Sequence, residues 1–148
     1  MKSDRLRAPV KAEYVEALGR AAYTFASCEW QVVWSCERIR PGSLQRIVGE
    51  ELTAGRIAKV FIDVCRNMPK STERSELREI AHRFAELVVV RNGIFHGKPC
   101  TAPSGEQRLG ASSILELTDL ESAADDFSEC GIKLNSLYYS FLTSYVPA

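Results

Sequence analysis

Apolar residues recur every three or four positions along four long segments, and this period constrains the fold more than any other sequence feature. The first segment runs from about Val10 to Ile39 and stops at Pro41-Gly42, a pair that breaks helices. The second spans about Ala54 to Asn67. Amphipathic helices of this kind bury one face against each other. The four segments therefore predict an all-α fold, an antiparallel four-helix bundle.

The ends of the last two helices are marked by capping and breaking residues. The third helix begins at Ser71 and runs to about His96, where Gly97 and a proline follow. The fourth is predicted to begin at Thr118-Asp119-Leu120-Glu121, which matches a capping box. Between them, residues 98–117 are rich in Pro, Gly and Ser, and a connection this long is typically functional or mobile.

Length and composition predict one domain and argue against a membrane protein. The chain has 148 residues, of which 45% are hydrophobic and 26% charged, the balance of a globular domain. We expect one domain over residues 1–148, with a core from about 10 to 145. No apolar run approaches the roughly 20 residues of a membrane span, and no secretory signal follows Met1. We therefore expect a cytoplasmic protein.

Charge and cysteine content limit the partners and cofactors. Nineteen basic and nineteen acidic residues cancel, which argues against nucleic-acid binding through bulk electrostatics but leaves a local basic cleft open. Basic residues gather at Arg5, Arg7 and Lys11, and at Arg38, Arg40 and Arg46. A solvated face is the favoured interpretation of both groups. The five cysteines contain no Cys-x-x-Cys pair, so we expect reduced thiols, no metal and no cofactor.

Two charged residues interrupt the apolar stripes. Glu29 lies on the stripe of the first helix, and Arg91 lies on that of the third. A lone buried charge costs several kcal/mol, so each needs a partner or must reach water. The simplest arrangement has the two residues facing each other or lining one cleft. The alternatives are an ion pair that only sets helix register, and side chains that reach solvent at the rim.

A cluster of polar residues follows Arg91 at the end of the third helix. Asn92 and His96 are four residues apart and share one helix face. Arg91 is offset from His96 by about 140°, which a long side chain can bridge. A helix C-terminus favours a protonated imidazole. The segment therefore combines a fixed cation, an amide and a titratable acid or base.

The Arg-Asn-x-x-x-His pattern of Arg91, Asn92 and His96 resembles the signature of the HEPN family. Members are small four-helix bundles that are common in bacterial toxin–antitoxin, abortive-infection and other defence systems. The likeness covers most of residues 10–145. Some members carry a glutamate midway along the first helix that faces the motif, and Glu29 would match it.

The resemblance implies a metal-independent endoribonuclease that works as a homodimer, with both motifs meeting at the interface. His96 would act as general base or acid when the RNA 2′-hydroxyl attacks the adjacent phosphorus. Arg91 would bind the phosphate, and Asn92 would orient the imidazole or a phosphate oxygen. Glu29 would hold Arg91 in place. The products would be a 2′,3′-cyclic phosphate and a 5′-hydroxyl.

Two departures from the family pattern, of which the neutral net charge is one, and two alternatives leave catalysis open. Many toxin members have a tyrosine two residues beyond the histidine, where this chain has Lys98. This lysine could hold phosphate, and the missing tyrosine argues against antitoxin control by nucleotidyl transfer. The first alternative is a non-catalytic HEPN-like domain that binds a nucleotide, an RNA or a protein partner such as an antitoxin. The second is a helical interaction domain in which Glu29 and Arg91 only set register.

Overall fold

The computed structural model describes residues 9–148 and shows a mainly helical protein with a small sheet. The inference about a signal segment at Met1, and the basic residues Arg5 and Arg7, lie outside the described residues. Within this range the helices are α1 (Ala12–Ile39), α2 (Ser43–Gly49), α3 (Ala54–Arg66), α4 (Thr72–Phe95) and α5 (Leu117–Ser140), followed by a 3-10 turn (Leu142–Ser144). The strands are β1 (Lys98–Thr101), β2 (Gln107–Gly110) and β3 (Ile114–Leu115).

Side-chain caps begin α3 and α4 where the sequence predicts helix starts. The Thr53 hydroxyl accepts a hydrogen bond from the third backbone N–H of α3 at 3.4 Å, and the Ser71 hydroxyl does the same for α4 at 3.0 Å. The predicted capping box of α5 is wrong by two residues. Glu116 is the N-cap, and its N–H donates to the Asp119 carboxylate at 2.7 Å.

The predicted antiparallel order is wrong for α1 and α5, which run side by side in the same direction. At one end, the Tyr14 hydroxyl donates to the Leu115 carbonyl oxygen at 2.8 Å. At the other end, Arg38 Nε donates to the Leu142 carbonyl oxygen at 2.6 Å. Because residue numbers rise together along both helices, the pair is parallel. The prediction assumed four helices, and α2 is a fifth that adds a reversal of the chain.

Three phenylalanines from α1, α4 and α5 meet at the centre of the core. The Phe25 ring stacks on Phe84 with 5.8 Å between centroids and meets the edge of Phe127 at 5.1 Å. All three are almost completely buried. Truncating such a side chain typically costs about 3–5 kcal/mol. Among the described helices, none has both the length and the apolar character to cross a bilayer.

The connection between α4 and α5 is an antiparallel sheet in the order β1-β2-β3 rather than the loop predicted for residues 98–117. Tyr14 of α1 anchors it, since its hydroxyl also accepts the Leu109 N–H at 2.9 Å. The Arg108 guanidinium lies 4.7 Å from the centre of the Tyr14 ring and pairs with Glu106 and Glu116. The sheet therefore connects α4 to α5 in the chain and packs against the start of α1.

Candidate functional site

The last turn of α4 carries the polar cluster, and the sheet packs against its end. His96 is the C-cap, and its backbone N–H donates to the Asn92 carbonyl oxygen at 3.0 Å. A Cβ on Gly97 would lie 3.0 Å from the Ile94 carbonyl oxygen and 3.1 Å from the Leu109 Cβ. Both distances are tighter than most Cβ contacts, so glycine suits this close approach better than a residue with a side chain.

Arg91 is half-buried, and its guanidinium is held by two aromatic rings and one amide. The guanidinium carbon lies 5.6 Å from the centre of the Phe25 ring and 5.2 Å from that of Phe95. Nη1 donates to the Asn92 side-chain oxygen at 2.9 Å. Nε is buried and has no hydrogen-bond partner within residues 9–148. The cation is thus oriented by its neighbours and keeps an unused donor.

Glu29 lies close enough to Arg91 to feel its charge. Burial raises the pKa of the Glu29 carboxyl, and the positive charge of Arg91 lowers it in part. In the described part of the chain no ion pair joins the two residues. Asn92 and the two rings, rather than a direct bond from Glu29, therefore hold the guanidinium.

Asn92 is half-buried and orients the arginine rather than the histidine. Its side-chain oxygen is taken by the Arg91 guanidinium. Its amide nitrogen donates no hydrogen bond to any described residue. This nitrogen is the atom through which Asn92 can contact an oxyanion.

His96 and Lys98 are exposed to solvent at the end of α4 and the start of β1. Neither side chain makes a hydrogen bond or an ion pair with another residue of the region from 9 to 148. The structure thus joins Arg91 to Asn92 directly, while His96 follows Asn92 by one helical turn without a side-chain bond to either residue. A chemical role for the imidazole requires a substrate that reaches it from solvent.

The two rings that hold Arg91 were not identified from the sequence. Phe95 is four residues after Arg91 on the same helix, which is the spacing of side chains that meet, so that contact had a local signal. Phe25 lies on α1, and only the three-dimensional packing brings it to Arg91. Among the described residues, no group of three or more His, Cys, Asp or Glu side chains is placed to hold a metal ion.

Comparison with known proteins leaves the motif and the helical pattern as the only grounds for a family resemblance. No protein-family model, curated protein or solved structure matches the chain.

Proposed function

We propose that this protein is a metal-independent endoribonuclease of the HEPN type, cleaving RNA by attack of the 2′-hydroxyl on the adjacent phosphorus. The observation that supports it most directly is the half-buried Arg91 guanidinium, which the Phe25 and Phe95 rings and the Asn92 side chain hold in a fixed orientation. The same helix end presents an exposed imidazole at His96. A phosphodiester placed there meets a fixed cation and an acid or base.

Arg91 and Asn92 bind the phosphate in this proposal. A guanidinium that is already oriented needs little rearrangement when negative charge builds on the phosphate oxygens, so it stabilises the transition state efficiently. The low polarity of the Phe25 and Phe95 rings strengthens that attraction. The unused amide nitrogen of Asn92 donates to a second oxygen, and Lys98, two residues after His96, neutralises a neighbouring phosphate.

His96 moves the proton. The O2′–P bond forms while His96 takes the proton from the 2′-hydroxyl, and the P–O5′ bond breaks as O5′ receives a proton. The reaction needs a base for the 2′-hydroxyl and an acid for O5′. One chain supplies only one imidazole at the motif. In a homodimer with both motifs at one cleft, the second copy of His96 supplies the second proton transfer. The products are a 2′,3′-cyclic phosphate and a 5′-hydroxyl.

The test compares the two histidines of the chain. Wild-type protein is expected to cut single-stranded RNA in the presence of a chelator, since the nucleophile belongs to the RNA. His96→Ala should reduce the rate by about 10²–10⁴-fold, the usual contribution of general acid–base catalysis. His82→Ala is the matched control, because His82 is also exposed on α4 but lies far from the motif. Equal rates for the three proteins would refute the enzyme proposal.

A second candidate function is binding without cleavage. It is favoured by the absence, among residues 9–148, of a side chain that orients the His96 imidazole by a hydrogen bond. In that case Arg91 and Asn92 bind a nucleotide or RNA phosphate and His96 has no chemical role. Wild-type protein that binds RNA but leaves it intact, with the same affinity in His96→Ala, would favour this function over the first.

A further inference from the structure

A groove of about 280 Å³ lies between the end of α1, α2 and α3, far from the motif of α4. Four cations and one carboxylate line it: Arg40, Arg46, Arg56, Lys59 and Asp63. The whole chain has equal numbers of basic and acidic residues. A local excess of three positive charges is therefore a property of this place rather than of the composition.

The carboxylate in the groove is already engaged. Asp63 accepts from Arg40 at 3.0 Å and from Arg66, outside the groove, at 2.6 Å. Guanidinium groups on two sides hold the pKa of Asp63 below its usual value. Asp63 therefore orients Arg40 and does not neutralise the remaining cations.

The other three cations have weak partners or none. Arg46 reaches the carboxylate of Glu50 only at 4.0 Å. Arg56 and Lys59 form no ion pair with any residue between 9 and 148. They are three residues apart and therefore neighbours on the surface of α3. Arg56 also lies in the first turn of α3, which contains no acidic residue and where the helix dipole disfavours a cation. An anion in the groove would relieve this repulsion.

We propose that this groove binds the phosphodiester backbone of a nucleic-acid strand, as a second contact for the RNA of the proposed function. The identification of this strand as RNA rests on the proposed function. The groove is open, and the Arg40 and Arg46 side chains are about half exposed. Its lining contains two aliphatic side chains, Leu52 and Val60, and no aromatic ring. It thus offers charge for phosphates but no stacking surface for a base and no enclosure for a small ligand.

The distance between the groove and the motif is longer than one nucleotide of an RNA strand. Arg91 lies against Phe25, and Arg40 follows Phe25 by fifteen residues along α1. At 1.5 Å per residue the two places are about 22 Å apart along the helix. At about 3.4 Å per stacked nucleotide, a strand needs roughly six or seven nucleotides to contact both.

The experiment measures RNA binding in full-length His96→Ala protein, so that cleavage plays no part. A single-stranded RNA of about 12 nucleotides exceeds the required span. Arg56→Gln combined with Lys59→Gln removes two groove cations that contribute nothing to the core. Arg20→Gln combined with Lys133→Gln is the matched control, because it removes the same charge from exposed positions on α1 and α5 outside the groove.

The expected result is a change in salt dependence. Each phosphate contact on a single strand adds about −0.7 to the slope of log affinity against log salt, so removing Arg56 and Lys59 should make the slope shallower by about 1.4, whatever the number of contacts at the motif. Between about 50 and 200 mM salt, the fall in affinity should therefore be roughly 7-fold smaller in the groove variant than in the parent protein. The control should behave like the parent protein.

Equal slopes for the groove variant and the control would overturn the proposal. The absence of RNA binding by the His96→Ala protein would also overturn it. A third contrary result would be binding of tripolyphosphate in the groove while the groove variant keeps the RNA affinity of the parent protein. These outcomes are separate from the test of the proposed function, because that test follows cleavage and depends on His96. If the wild-type protein does not cleave RNA, the proposed function fails, but the salt dependence of RNA binding still tests the groove.

Discussion

Replacing Arg91 with Met separates a catalytic cation from one that only sets helix register. The methionine keeps a long apolar side chain between Phe25 and Phe95 and removes the charge. The change loses two cation–π contacts, each worth about 0.5–1 kcal/mol, and the hydrogen bond to Asn92, worth about 0.5–1.5 kcal/mol.

Two effects oppose that loss. The buried Nε without a partner disappears, and such a group costs about 1–3 kcal/mol. The methionine sulfur regains contacts with the rings of about 0.3–1.5 kcal/mol. Taken over their ranges, these effects largely cancel, so the free energy of unfolding should fall by no more than about 2 kcal/mol. Cleavage should fall by about 10²–10³-fold, the usual cost of removing one donor to a developing oxyanion.

Urea unfolding and the rate of RNA cleavage test both parts. Arg83→Met is the control, because Arg83 is an exposed arginine of the same helix that pairs with Glu86 and Asp126 at the surface. It should change stability by no more than about 1 kcal/mol and leave cleavage intact. A loss of more than about 3 kcal/mol in Arg91→Met would show that the charge holds the bundle together. Unchanged cleavage would remove Arg91 from the site.

Two further substitutions test the surroundings of the site and the parallel helix pair. Burial raises the pKa of Glu29, so the folded wild type resists ionisation of this carboxyl and loses stability as pH rises through the raised pKa. Below the ordinary pKa of about 4.3, residue 29 is uncharged in the wild type as it is in a Glu29→Gln variant. Glu29→Gln should therefore match the wild type in urea unfolding near pH 4 and exceed it at pH 7, and lower stability at pH 7 would contradict this. A Cβ on Gly131 of α5 would meet Cys28 of α1 at 3.6–4.0 Å, an ordinary contact. Gly131→Ala should raise the unfolding free energy by about 1 kcal/mol through helix propensity, and a lower melting temperature would mean that α1 and α5 pack more closely than described.

The all-α prediction is confirmed in part: the long helices form because their signals are local, and the structure adds a small sheet. The break at Pro41-Gly42 ends α1, since Gly42 adopts a φ of 94° in the turn before α2. Thr53 caps α3 as its position suggests. The predicted start of α5 at Thr118 is wrong because two overlapping capping patterns occur there, and the earlier one, at Glu116, forms the cap.

The sheet could not be predicted because its signals are short and its anchor is distant. The strands have four, four and two residues, too few to establish an alternating pattern. Their position depends on Tyr14, which is about 100 residues away in sequence from the atoms it contacts. Nothing in residues 98–117 alone reveals that contact.

The candidate site was predictable in its residues but not in its bonds. The apolar stripes place Glu29 and Arg91 on inward faces, and the structure does bring their charges near each other. Sequence periodicity gives the face of a helix but not the level along its axis. It could not show that Phe25, rather than Glu29, would contact the guanidinium.

The packing of α1 against α5, two helices far apart in the sequence, affects how the chain can fold during synthesis. The core-facing side of α1, including Phe25, is covered largely by a helix that begins at Leu117. At about 5–20 residues per second, the ribosome needs roughly 5–20 s to make the intervening and completing sequence. Throughout that interval the first helix lacks its principal neighbour, so the nascent chain exposes an apolar surface until α5 has been synthesised.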